Sequence, residues 1–461
     1  METTWLYAFL SLFLLVLMFK FSSKGKTKLP PSPAPALPLL GHLHHLKLPL
    51  HQTYHNLSQK LGPIFSLRFG TRLMVVVSSP AIVEECFTTN DLVLANRPRF
   101  ITGKYIGYNY TSLVVSPYGE GWRKLRRLTT VEIFSSARLN MFQSIRHDEN
   151  GGWEALFGED EENEEAKQFR ELIDEVFKLN GVSNPADFFP MFRWIDYKGY
   201  EKNLARLSAK MDSFLQGLID EHKRDKGGNS MIDHLISVQE SEPDYYTDVI
   251  IKGIIMVMLL AGTKTSASTL EWAMAALLNH PQKLDKAKAE IDNLVGNNRL
   301  VNELDLSKLS YLQNIISETF RLFPAAPLLV AHEASADCKL GGYDIPRGTI
   351  VQVNAWAIHR DPTVWDDPTS FNPERFEEAG EVGPTKLLPF GMGRRSCPGN
   401  GLANRVVGLT LASLIQCFEW QRIDDALVDL TEGKGISRPK LPLEAMCKGR
   451  HVLHKALAQS A

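Results

Sequence analysis

Two long apolar runs stand out in this chain, one at its start and one in its middle, and elsewhere the apolar positions recur with strand or helix spacing. Residues 5–19 are almost wholly apolar, and Lys20, Lys24, Lys26 and Lys28 follow directly. A bilayer crossing needs about 20 residues, and Phe21 with the flanking lysines extends the run by snorkelling. The pattern predicts a membrane anchor over residues 1–21, and the lysines behind it place the rest of the chain on the cytoplasmic side. A cleaved signal peptide, the alternative, would carry a basic segment before the run and a small-residue cleavage site after it. Pro30, Pro31, Pro33, Pro35 and Pro38 then make residues 22–40 a basic, proline-rich hinge, stiff and extended, that spaces the body at 41–461 from the bilayer. Residues 64–69 and 73–77, rich in β-branched side chains around Gly70-Thr71-Arg72, read as a hairpin. Helical spacing covers 204–224, 247–279, 282–295, 311–323 and 402–418. The longest would span roughly 50 Å at about 1.5 Å per residue, with Thr247 or Asp248 as its cap and Pro281 as its stop. Lys252, Lys264 and Glu271 inside it argue against a second membrane span. The fold class is mainly α with a small β-sheet region.

With 461 residues, 44% of them hydrophobic, the chain buries a large core. Its net charge of −2 leaves no global basic field, which excludes a nucleic-acid partner on that ground. The five cysteines are odd in number, widely spaced and without a CxxC pair, so neither a disulfide framework nor a zinc site is indicated. Cys86, Cys338, Cys417 and Cys447 are expected to be small, mostly buried apolar residues. His42, His44, His45, His51 and His55 match no metal-binding spacing and are assigned no function.

The fifth cysteine is different. Cys397 lies in Phe390-Gly391-Met392-Gly393-Arg394-Arg395-Ser396-Cys397-Pro398-Gly399, where glycines leave room for backbone to pass close to a flat ligand and for N–H groups to face the sulfur. Arg395 can hold an anionic substituent of such a ligand. The stretch resembles the haem-ligand signature of the cytochrome P450 haem-thiolate monooxygenases, in which a thiolate on the iron pushes electron density towards O2 and favours O–O cleavage. A buried structural cysteine beside a glycine-rich turn is the alternative. Glu318 and Arg321, three apart on one helix face, together with Arg375 in Phe371-Asn372-Pro373-Glu374-Arg375-Phe376, resemble the same family's structural triad, although a lone Glu-x-x-Arg is more often a solvated pair.

The resemblance extends further. Trp122 and Arg126, four apart, correspond to propionate ligands of the family, and Arg123, Lys124 and Arg127 on the same helix suit an acidic electron donor. His332 resembles a further propionate contact. Ala261-Gly262-Thr263-Lys264-Thr265-Ser266 falls in mid-helix, where hydroxyls can loosen the backbone ladder, and resembles the oxygen-activation motif with Thr265 as the O2-facing hydroxyl. The implied cofactor is haem b, with NADPH electrons arriving through a separate membrane reductase. Cys397 would be its axial metal ligand, and Phe390, Gly393, Arg395, Gly399, Trp122, Arg126 and His332 would seat it. Thr265 and Lys264 would be catalytic. Residues 102–110 and 324–330 would line the substrate pocket. The proline hinge and Arg193-Trp194-Ile195-Asp196 resemble the plant microsomal group that includes isoflavone 2′-hydroxylases, which implies an endoplasmic-reticulum membrane, O2 and a small apolar, flavonoid-like aromatic substrate.

Two features depart from that pattern. The residue before Thr265 is an acid in the family and is Lys264 here, a reversal of charge that predicts impaired coupling of electrons to product. In addition, Arg146-His147-Asp148-Glu149-Asn150 runs straight into Gly151-Gly152, so a segment after residue 149 is missing, and the acidic stretch 154–165 reads as solvated loop. Loss of packed helices there would expose apolar surface. A haem-thiolate isomerase or dehydratase, which would tolerate Lys264, a haem binder without turnover and a non-enzymatic remnant are the competing classes.

Overall fold

The computed structural model describes residues 27–37, 40–143, 164–180, 184–189, 194, 196–225, 230–378, 382–433 and 437–460, together with Ser11. Apart from Ser11, the anchor predicted over 1–21 therefore lies outside the described residues, as does most of the acidic stretch after 149. Helix α1 (Leu50–Leu61) precedes strands β1 (Ile64–Phe69) and β2 (Arg72–Val77), the predicted hairpin, and α2 (Pro80–Phe87) follows it. Next come α3 (Glu120–Leu128), α4 (Ser136–Met141), α5 (Glu164–Asn180), α6 (Tyr200–Arg224), α7 (Met231–Ser241), α8 (Asp248–Asn279), α9 (Pro281–Leu294) and α10 (Ser310–Leu322). Strands β3 (His332–Glu333), β4 (Cys338–Leu340), β5 (Tyr343–Ile345) and β6 (Ile350–Val353) lead to α11 (Asn400–Cys417). Strands β7 (Phe418–Gln421) and β8 (Met446–Gly449) close on α12 (His451–Ser460).

The main sheet has the order β1-β2-β6-β3, with β2 and β6 parallel and the outer pairs antiparallel. The sheet is small because helices carry most of the core. Residues 251–257 of α8 pack with Leu204, Leu207, Leu215 and Ile219 of α6 and with Trp122 and Leu125 of α3. Residues 272–278 pack in a second core with α9, α10 and α11. Between these buried ends, residues 258–267 include no buried side chain. The three charges inside α8 all find protein partners: Lys252 pairs with Asp212, Lys264 with Asp174, and Glu271 accepts the Leu443 N–H. Among the described residues α8 is the one helix long and apolar enough to cross a membrane, yet both its ends are core.

Several local expectations change. The hinge is docked rather than free over 27–37: the Pro30 and Pro31 carbonyls accept from Ser66, the Lys28 carbonyl accepts the Asp344 N–H, and the Lys28 N–H donates to the Asp344 carboxylate. Proline removes donors but leaves carbonyls, and β1 uses them. The Thr247 hydroxyl makes no cap bond, and the Asp248 carboxylate is taken by Lys223 and Gln239. Glu164 and Glu165 lie in α5 instead of in a loop. Cys86 and Cys417 are buried, but Cys338 is half-buried and Cys447 exposed. Next to Gln143, where the chain leaves the described residues, a groove of about 380 Å³ opens between α4, α10 and α11, edged by Leu304, Leu306 and Ile316.

Candidate active site

The loop that carries Cys397 closes on itself. The Cys397 N–H donates to the Phe390 carbonyl at 2.9 Å, and the Ser396 N–H donates to Gly393 at 3.1 Å. Gly391 and Gly393 adopt φ of +67° and +74°, which L side chains resist. A Cβ at Gly393 would also meet Asp91 Oδ1 at 2.5 Å, a carboxylate that accepts the Arg394 N–H at 3.0 Å. At these two positions the glycines answer to backbone hand and to Asp91. Gly399 comes nearer the expected role, since a Cβ there would lie 3.8 Å from the Cys397 sulfur and 3.6 Å from the Phe134 ring. Cys397 is open to solvent on one side while protein crowds the others, and that burial pushes its thiol pKa up. The Gly399 N–H and the Arg126 charge pull the other way. Both favour the thiolate, the form that ligates metals.

A buried lock supports this loop from behind. Glu318 receives Arg321 through two bonds of 2.7 and 2.8 Å, Arg375 Nε at 3.1 Å and the Asn372 N–H at 2.7 Å. The Glu318 and Arg321 side chains are fully buried. Arg321 spends its remaining donors on the His359, Pro368 and Ser370 carbonyls. His359, which the sequence did not single out, links the lock to the loop: its Nδ1 donates to the Arg321 carbonyl at 3.1 Å and its Nε2 accepts the Leu388 N–H at 2.9 Å. Burial, with Arg360 and Arg321 nearby, lowers its pKa to about 3, so the ring is neutral and can serve both bonds. Phe390 packs edge-on against Phe320 of α10 at 5.2 Å.

In front of the loop the structure gathers three arginines. Arg126 donates to the Ser396 carbonyl at 2.6 Å, and Arg395 donates to the carbonyls of Ala95, Leu113 and Ser116. The third, Arg97, escaped the sequence reading; it is buried and donates to Val114, Val330 and Ala331. Burial and the neighbouring Arg395 lower the Arg97 pKa to about 9, and burial and Arg126 lower that of Arg395 to about 10. All three remain cationic at neutral pH, and their hydrogen bonds go to neutral oxygens. The Trp122 indole N–H donates to Leu113 at 3.1 Å, and the Arg395 guanidinium lies over its ring at 4.3 Å. His332 is buried, bonds the Leu94 carbonyl through Nδ1 at 2.7 Å, and has a pKa held well below the usual value by burial and by Arg97. Its Nε2, which makes no hydrogen bond among the described residues, is an acceptor until an arriving anion favours its protonation.

Thr265 and Lys264 sit in the unburied middle of α8. The Thr265 hydroxyl donates back to the Ala261 carbonyl, and Thr263 and Thr269 bond the Leu259 and Thr265 carbonyls at 2.8 and 2.9 Å. The hydroxyls thus bond back to carbonyls four residues earlier, while the helix itself stays continuous through the motif. Lys264 turns to Asp174 of α5, and among the described residues no hydrogen bond or ion pair joins either residue to the Cys397 loop. The segment 102–110 is fixed by a link the sequence did not suggest: the Tyr108 hydroxyl donates to Asp212 at 3.0 Å, which pairs with the buried Lys252 at 2.6 Å.

One thiol with a backbone donor at its sulfur, beside three cations that have no carboxylate partner among the described residues, fits a planar iron group bearing two carboxylates: uncompensated buried charge is costly unless an anion completes it. Cys397 would hold the metal, and Arg97, Arg126, Arg395 and His332 the carboxylates. The fold and this donor set define a haem-thiolate protein. The chain belongs to the cytochrome P450 family, whose model matches residues 30–149 and 153–446, a match interrupted at the join after Glu149. Cytochrome P450 81Q32 of Catharanthus roseus is 58% identical over 462 residues, covering 92% of each chain. An isoflavone 2′-hydroxylase of Glycyrrhiza echinata is 50% identical, covering 92% of this chain and 93% of its own. The (+)-piperitol/(+)-sesamin synthase CYP81Q2 of Sesamum radiatum is 52% identical, with 92% and 91% covered. A solved zebrafish cytochrome P450 with progesterone superposes with a TM-score of 0.72 at 28% identity, covering 88% of this chain and 100% of its own. The protein is thus a cytochrome P450 monooxygenase of the plant isoflavone-hydroxylase-like group, with haem as cofactor.

Proposed function

We propose that this monooxygenase hydroxylates a small apolar aromatic plant metabolite of flavonoid or isoflavonoid type, with electrons from NADPH through a membrane reductase. Its place would be the endoplasmic-reticulum membrane, held by the anchor at 1–21 with the body in the cytosol. The observation that carries the reading is the Cys397 loop, with the Gly399 N–H at the sulfur, set beside Arg97, Arg126 and Arg395. Bound haem would supply O2 activation, with the Cys397 thiolate as the group that would hold its iron. The residues of the chain do the rest. Cys397 binds the iron, while Arg126, Arg395 and His332 hold and orient the carboxylates, and Trp122 supports Arg395 by stacking under it. Phe390, Gly393 and Gly399 shape the loop. Thr265 offers a hydroxyl in the groove of α8, and Lys264 sets the charge beside it. Arg123, Lys124 and Arg127, exposed on α3 or nearly so, present a basic face to the reductase.

The test is spectroscopic and then chemical. Membranes containing the full chain, reduced and exposed to CO, are expected to give the strongly red-shifted Soret band of a thiolate-ligated haem. With reductase and NADPH, an isoflavone panel is expected to yield a product heavier by one oxygen. An unshifted band overturns the site, and a product formed without NADPH would move the protein to the isomerase or dehydratase class that tolerates Lys264.

A further inference from the structure

The acid that the family carries immediately before Thr265 is absent at that position, but a carboxylate arrives there from another helix. Lys264 Nζ is ion-paired with Asp174 Oδ1. Asp174 is well placed for this: it lies on α5 between Ile173 and Val176, which are 2% and 1% exposed and seat the helix by its apolar face. The adjacent Glu175 is already taken by Arg206 of α6. Neighbouring carboxylates on α5 thus point to different elements, one to α6 and one to α8. Among the described residues, the Asp174 pair is the only side-chain hydrogen bond or ion pair from another element to residues 258–267 of α8.

The electrostatic consequence is specific. A solitary ammonium one residue from Thr265 would repel protons entering the groove and stabilise negative charge on oxygen there. Paired with Asp174, the position is neutral and still has a carboxylate at hand, the group that an acid at 264 would supply with a negative charge. We propose that Asp174 is a positioning residue for the oxygen-activation groove, supplying from α5 the carboxylate that neutralises and orients Lys264, and closing α5 on α8 by the same bond. The proposal rests on the monooxygenase reading. The Lys264 and Asp174 side chains are 34% and 45% exposed, so the pair is partly screened and its closing effect is modest.

Three variants of the full-length protein test this: Asp174→Asn, Lys264→Asp and the exchange Asp174→Lys/Lys264→Asp. Amide exchange over 164–180, which needs no haem, is expected to quicken about two- to fivefold in both single variants and to return in the exchange. The second readout is air reoxidation of the reduced haem protein, in which O2 takes an electron from the haem and a proton from the groove. Asp174→Asn, with an unpaired positive charge, is expected to slow it, Lys264→Asp, with two carboxylates, to hasten it, and the exchange to restore the parent rate. A merely structural tie would move both single variants the same way. That result, an Asp174→Asn protein indistinguishable from the parent, or an exchange that restores neither readout overturns the proposal. The CO spectrum of the parent separates the two failures: without a red-shifted band the monooxygenase reading falls, while amide exchange still reports on the ion pair.

Discussion

Two arginine clusters flank the Cys397 loop, and they are built on opposite principles. Arg321 and Arg375 converge on one buried carboxylate, Glu318, whose oxygens accept four side-chain and backbone donors. Among the described residues, Arg97, Arg126 and Arg395 converge on no carboxylate and rest on backbone carbonyls. The first cluster holds its own counter-ion, one buried carboxylate shared by two guanidinium groups, and in that sense it is complete within the chain and is architecture. The second carries surplus positive charge in a partly desolvated place, so it is a binding site for an anion. The same side chain serves both ends because a guanidinium always stays charged and its planar fork suits carbonyls and carboxylates alike.

Breaking the complete cluster is expected to have the largest effect. Glu318→Gln leaves two arginines buried without their counter-charge, a loss of about 3–5 kcal/mol by the usual cost of orphaning a buried ion. Thermal unfolding and haem content should both collapse. Opening the incomplete cluster should do something different. Arg126→Gln or Arg395→Gln removes a charge-assisted bond worth about 1.5–3 kcal/mol, so haem should bind roughly ten- to a hundredfold more weakly. The haem-free protein should melt no lower than the parent, because like charges have been thinned. If the haem-free protein is instead destabilised as Glu318→Gln is, the two clusters are not opposites.

The smallest effect concerns His359, the bridge from the complete cluster to the loop. Its pKa falls from 6.5 when unfolded to about 3 when folded, so the folded state binds fewer protons. The neutral ring therefore contributes stability that is fully present above pH 6.5 and is lost as pH falls from there through about 3. His332, lowered in the same direction, adds to the loss. His359→Gln, which keeps a donor and an acceptor, should flatten the slope of melting temperature between pH 6.5 and 4.5. An unchanged slope would remove His359 from the link.

Much of this was legible because it is local. The helix predicted over 247–279 is observed over Asp248–Asn279, and the hairpin appears with its Gly70 turn, since side-chain periodicity records which face is buried. The cysteine loop could be read for the same reason: its glycines, its aromatic and its sulfur lie within ten residues. Arg97 could not. It sits in an ordinary Asn96-Arg97-Pro98 stretch, and only the fold carries it to Val330 and Ala331, more than 230 residues away. His359 was one histidine among 13.

Lys264 shows where the boundary falls. The sequence by itself determined that a cation replaces an acid beside Thr265, because identity and spacing on one helix are covalent facts. Read alone, that replacement predicts a damaged groove. Only the tertiary structure decided what the cation means, by laying Asp174 of α5 against it across 90 residues of chain. A charge acts through its surroundings, and those surroundings come from elements that meet only when the chain folds.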